Sequence, residues 1–156
     1  MVVHQQVTKQ MLSATSQHAI RALVHLAQAP VCASMLGRDL AEAAAIPANF
    51  LAKLMLTMRN AGIVDATRGL GGGYRLVKSP DEITLLQVVE LFEGISARPG
   101  CFLGEKHACN DQEACTAHSQ WKVVCEAYND FMTTTTIADI GLKKSRARRR
   151  LHSLSV

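Results

Sequence analysis

The stretch FLAKLMLTMRNAGIVDATRGLGGGYRLVK, Phe50–Lys78, joins an amphipathic run to two short β-rich runs across a cluster of glycines. Phe50, Leu51, Leu54 and Met58 repeat at helical spacing while Asn49, Lys53 and Arg59 are left polar, which predicts a helix from about Ala48 to Asn60, stopped by Ala61-Gly62. IVDATR and YRLVK then read as strands, and GLGGG between them supplies the positive φ angles of a tight connection. A phosphate-cradling loop fits poorly, because neither G-x-x-x-x-G-K-[ST] nor G-x-G-x-x-G is present. A helix followed by a hairpin is the reading that decides the fold.

On the N-terminal side, Ser16–Ala29 puts Ile20, Leu23, Val24 and Ala27 on one helical face and His18, Arg21 and His25 on another, and Pro30 stops the run. A short helix over LGRDLAEAAA should end before Ile46-Pro47. Three helices and a hairpin in this order are those of a winged helix-turn-helix, whose third helix enters the major groove of DNA, while small α+β domains of this kind can instead bind proteins.

On the C-terminal side, ITLLQVVELFEG predicts a helix with a stripe of Leu85, Val88, Val89 and Phe92, ending at Gly94. The pattern turns helical again from about Ala114, where Trp121, Val124, Tyr128 and Phe131 recur three and four apart. That aromatic stripe finds no obvious partner in its own chain, so it is expected to pair with its copy in a homodimer. Thr136-Ile137-Ala138-Asp139 resembles a capping box, with Asp in the place of Glu, opening a short final helix.

The hydrophobic share of 48% argues against disorder. MVVHQQVTKQ lacks the apolar centre of a signal peptide and no apolar run reaches the length of a membrane span, so a cytoplasmic protein is expected. Charge is segregated: residues 1–80 carry eight Lys or Arg against three acids, residues 81–142 three against ten, and the tail from Lys143 adds six basic residues. A basic first half and a basic tail suit a polyanion such as double-stranded DNA. No cofactor motif or acid-base constellation suggests an enzyme.

Between Cys101 and His118 runs CFLGEKHACNDQEACTAH, with no helical or strand rhythm. Three of the five cysteines fall here, at C-x7-C-x5-C-x2-H through Cys101, Cys109, Cys115 and His118. In a reducing compartment such a cluster signals metal rather than disulfides. Thiolates and a neutral imidazole suit an iron-sulfur cluster, and Cys3His also suits tetrahedral zinc. Cys32 and Cys125 stand apart and are read as packing residues.

The glycine-rich wing RGLGGGYRL, the preceding FLAKLMLTMRNAGIVDAT, the cysteine segment and the terminal TTTIADI occur in one order. Together, from about Leu12 to Ile140, they resemble the winged-helix family that contains the regulators IscR, NsrR and RirA. The resemblance implies a homodimeric regulator, a repressor at a palindromic operator, whose iron-sulfur cluster senses iron, cluster status, redox state or nitric oxide. It divides the chain into a winged helix-turn-helix at residues 11–80, a cluster-binding segment with dimerisation helices at 81–142 and a basic tail at 143–156. The expected fold class is therefore mostly α with a small β-hairpin wing.

The resemblance also assigns residues. Cys101, Cys109 and Cys115 carry over as cluster ligands. His118 matches the fourth ligand of the 2Fe-2S regulator IscR, with His107 as competitor, while the x7 and x5 intervals match RirA, which resembles the 4Fe-4S members. Some relatives take an acidic ligand from the first helix of the other subunit, a position that falls on Gln17 here. Base-reading positions fall on Asn49, Ala52 and Lys53 and the wing arginine on Arg68, with Ala52 standing where IscR has glutamate. Arg59, Gly71, Gly72 and Tyr74 complete the expected DNA-binding set. The remaining alternatives are a zinc-stabilised DNA-binding regulator without redox sensing and a redox or cluster-carrier protein.

Overall fold

The computed structural model describes residues 12–30, 33–69, 71–94 and 115–141. Its elements are α1 (Ala14–Gln28), α2 (Gly37–Ala44), α3 (Ala48–Asn60), β1 (Val64–Thr67), β2 (Gly73–Leu76), a 3-10 turn (Pro80–Glu82), α4 (Leu85–Glu93), α5 (His118–Thr134) and α6 (Ile137–Gly141). This is a mostly helical winged-helix fold with one two-stranded sheet.

Helix α1 begins two residues before the apolar rhythm does, because Ser13 caps it: the Ser13 Oγ accepts the Ser16 N–H at 3.1 Å. Its buried side is Ser16, Ala19, Ala22, Leu23 and Leu26, rotated from the expected stripe, and Ile20, Val24 and Ala27 pack at the edge of the core. The physical reason is neighbour count. Helix α1 touches α2, α4, α6 and β2, and alanines at positions 19 and 22 admit those neighbours closely where larger side chains would hold them off.

Helices α2 and α3 meet at 106°, within the range of helix-turn-helix pairs. The bend is made by Ala45 in the left-handed region, at φ 52, followed by buried Ile46 and by Pro47 at the start of α3. The strands pair antiparallel with Asp65 opposite Arg75 and Ala66 opposite Tyr74. A third segment joins this sheet: Tyr74 N–H donates to Met35 O at 2.8 Å, and Met35 N–H returns to Tyr74 O at 2.9 Å.

The C-terminal elements close the same core. Leu85 N–H donates to Thr135 O and Ile137 N–H to Ile83 O, both at 2.9 Å, which stitches the start of α6 to the entry of α4. Asp139 caps as expected, its carboxylate accepting the Thr136 N–H at 2.9 Å. Ile83, Leu85, Val88, Val89, Met132 and Ile137 belong to one buried cluster with the core residues of α1 to β1, so the core runs without a break past Pro80.

The aromatic stripe of α5 divides. Tyr128 packs against the core of its own chain beside buried Met132, whereas Val123, Val124 and Phe131 are 63%, 45% and 54% exposed. Five turns of helix with one buried side chain thus present an outward apolar face, carried by Val123, Val124 and Phe131 rather than by Tyr128.

Candidate functional site

The exposed side of α3 carries Asn49, Ala52, Lys53 and Leu56; the opposite side buries Leu51, Leu54, Met55 and Met58. Met55 belongs to the core although the sequence rhythm did not single it out. Asn49 sits in the first turn, its Oδ1 accepting the Phe50 N–H at 2.9 Å, so its amide nitrogen is the end left to meet a partner. Phe50 turns to α1, where its ring meets His18 edge-on at a centroid distance of 5.5 Å.

The wing is held by its glycines. A Cβ at Gly72 would lie 2.4 Å from Thr67 O, and one at Gly73 would lie 2.4 Å from Met35 O, so neither position has room for a side chain. Gly71 differs: it has space but sits at φ +77. Its carbonyl accepts from the Ser34 hydroxyl at 2.7 Å, a second tie between the wing and the α1–α2 connection.

Asp65 is the acidic centre of this surface. Its carboxylate lies 3.1 Å from Arg75 Nη2 and 3.9 Å from Arg59 Nε. The hydrogen bond from Arg75 comes first among the causes that hold its pKa below the ordinary value, and the Ala66 N–H adds to it.

Further along the chain, Cys115 and His118 stand at the entrance to α5. Both are half-buried, and the His118 N–H donates to Cys115 O at 3.0 Å, closing a turn that brings the two side chains' positions within one helical turn. Among the described residues, helix α5 has no side-chain cap and no acid in its first turn to offset the positive end of its dipole. That end suits thiolate ligands, whose charge it stabilises. Cys101, Cys109 and His107 lie outside the described residues, as do Cys32 and the tail from Lys143.

A 106° helix pair beside a glycine-built wing is a DNA-reading arrangement, and residues 12–142 match the Rrf2 family, described as iron-dependent transcriptional regulators. The chain belongs to the Rrf2 family. It is 33% identical over 137 residues to an HTH-type transcriptional regulator of Aquifex aeolicus, covering 82% of this chain and 89% of the relative. With NsrR of Bacillus licheniformis it shares 28% over 136 residues, 87% and 95% of the two chains. Its fold is similar to that of CymR, the global cysteine regulator of B. subtilis, at a TM-score of 0.70 with 23% identity over 83% of this chain and 95% of the other. As an Rrf2 regulator it is a DNA-binding protein of a non-enzymatic family.

On this Rrf2 scaffold Asn49, Ala52, Lys53, Arg59, Arg68 and Gly71 are exposed. Gly72 is buried, and Tyr74 is half-buried with its ring 3.2 Å from the place a Cβ would occupy on Gly37, so these two shape the wing from within. Gln17 folds back on its own helix entrance, Nε2 donating to Leu12 O at 3.0 Å. Cys125 is half-buried, and burial followed by the charge of Glu126 raises its thiol pKa, which suits a packing residue rather than a reactive one.

Sequence reasoning missed Ser34 and Met35 as wing anchors, Asp65 as the partner of two arginines, and the pairing of Ser16 with Glu93. Register gives Asp65 opposite Arg75 once the hairpin is drawn. No local signal marks Met35, because its pairing with Tyr74 spans the whole helix-turn-helix.

Proposed function

We propose that this Rrf2 protein is a homodimeric regulator whose DNA binding depends on an iron-sulfur cluster held by Cys101, Cys109, Cys115 and His118. The observation that carries this reading is that Cys115 and His118 stand one turn apart at the start of α5. Three thiolates and an imidazole are the soft donor set a cluster requires, and His107 is the other candidate for the fourth place. When bound, a 2Fe-2S cluster, or a 4Fe-4S cluster, supplies a centre that oxygen, nitric oxide or iron shortage can change.

The chain's own residues do the rest. Ligation requires deprotonated thiols brought together in space, so cluster binding and chain conformation are linked. The exposed Val123, Val124 and Phe131 pair α5 with its copy and set the spacing of two reading heads. In each head Asn49 pairs with adenine and Lys53 with guanine in the major groove, while Arg68 of the wing enters the minor groove. Ala52 offers a methyl-sized apolar contact to thymine where an acidic residue would accept from cytosine.

The test is an anaerobic visible spectrum with iron and sulfide counts, repeated for His118→Ala and His107→Ala, together with binding of cluster-loaded and apo protein to a palindromic duplex. Colour, stoichiometric sulfide, a spectral change in His118→Ala and unequal affinities are expected. A colourless protein that contains zinc and no sulfide sinks the cluster reading, and equal affinities sink the switch.

A further inference from the structure

We infer that Arg21, held by His18, is a phosphate contact of the DNA-binding surface, contributed by α1 beside the first turn of α3. The inference rests on α3 being the reading helix. At 100° per residue, Phe50 lies on the border between the exposed side of α3, with Asn49 and Lys53, and its buried side, with Leu54. The edge-on ring of His18 against Phe50 therefore places this part of α1 along the flank of the reading face.

The next observation fixes Arg21. Its Nη2 is hydrogen-bonded to His18 Nδ1, so one guanidinium edge is committed to the imidazole and the remaining donors stay available. Burial, and then the charge of Arg21, lowers the His18 pKa. That shift favours the neutral imidazole, so the charge of the pair rests on Arg21.

Charge compensation separates Arg21, like the wing's Arg68, from Arg38, Arg59 and Arg75. Arg38 is paired with Asp39, and Arg59 and Arg75 with Asp65. Arg21 is exposed and has no carboxylate partner among the described residues, and α1 contains no acid at all. Its face of α1 adds His18 and His25 but no negative charge. An unpaired, pre-positioned guanidinium beside a helix that enters the major groove meets the sugar-phosphate wall of that groove, where arginine binds through parallel N–H donors.

The experiment uses the full-length protein, prepared anaerobically, and a duplex that the wild type has selected from random sequence. Association constants for this duplex and for sheared genomic DNA are measured across a salt series. Arg21→Gln is expected to lower the slope of log K against log salt by about 0.9 per protomer, on both DNAs, without changing which bases are preferred. Arg21→Lys should keep the slope. His18→Phe, which preserves the ring against Phe50 but removes the tie to Arg21, should weaken binding on both DNAs with base preference intact. Circular dichroism melts of the variants should match the wild type, since Arg21 is exposed. An unchanged slope in Arg21→Gln overturns the contact while leaving α3 as the reading helix. Altered base preference in Arg21→Gln also overturns it, because a phosphate contact carries no sequence information. A wild type that selects no duplex overturns the regulator reading itself, and this inference with it.

Discussion

The Ser16 hydroxyl donates to the Glu93 carboxylate at 2.5 Å, joining the first turn of α1 to the last residue of α4. The Ser13 N–H reaches the same oxygen at 2.9 Å. Ser16 is fully buried, and it is the one buried polar side chain among the described residues. Ser16→Ala removes a hydrogen bond to a charged group and should cost about 1–2 kcal/mol, read as a lower urea midpoint at unchanged slope.

Acid should act on the same junction. Burial pushes the Glu93 pKa up, but the hydrogen bonds from Ser16 and Ser13 outweigh it and the net shift is below the ordinary 4.5. A depressed folded-state pKa stabilises the fold above the unfolded value, and that contribution is lost as pH falls through the lower folded value. Stability of the wild type should therefore drop below about pH 4.5 more steeply than that of Glu93→Gln, in a series of melts across that range.

Neighbouring wing glycines should respond differently to alanine. Gly71→Ala meets open space and strains only its φ of +77, a cost of about 1 kcal/mol. Gly72→Ala forces a Cβ to 2.4 Å from Thr67 O, with Gly69 O at 2.9 Å, and requires the wing to be rebuilt. DNA affinity measured by fluorescence anisotropy should survive the first change and fall at least tenfold, roughly, with the second, in line with the loss of a backbone-contacting element.

Asp65→Asn should free Arg59 and Arg75 from a shared anion. Affinity for unselected DNA should rise several-fold, with a steeper dependence on salt. A flat response in the salt series would show that neither arginine faces the duplex.

Ala45 holds the bend between α2 and α3 at φ 52, a conformation that glycine adopts without a Cβ penalty. Ala45→Gly should raise stability by about 1 kcal/mol, measured by urea unfolding, with DNA affinity unchanged.

The outward face of α5 makes Phe131→Asp a test of assembly. With Phe131 54% exposed in the single chain, the substitution should leave the fold intact, and the α5 pairing proposed above predicts a shift from dimer to monomer in sedimentation at micromolar protein.

Local chemistry made much of this legible from the sequence. The Ala48–Asn60 helix follows from its apolar spacing and the Ala61-Gly62 stop, and the hairpin from a glycine cluster between β-rich runs. Asp139 was readable as a cap because its partner lies three residues away. What stayed hidden depends on contacts distant in the chain. The rotated face of α1 follows from several elements meeting its alanines, and the divided stripe of α5 from Tyr128 finding the core of its own chain. In the cysteine segment, spacing and residue type named the ligand candidates, and of these the described residues include Cys115 and His118, three positions apart at the start of α5.

The unbroken core has a practical consequence for modularity. Cutting the chain at Pro80 would leave the reading head nominally complete, yet α1 would lose α4 and α6, two of the elements packed against it, and uncover part of its buried side. Grafting this DNA specificity onto another protein therefore calls for a transplant that extends to residue 141, with the cysteine segment carried along inside it.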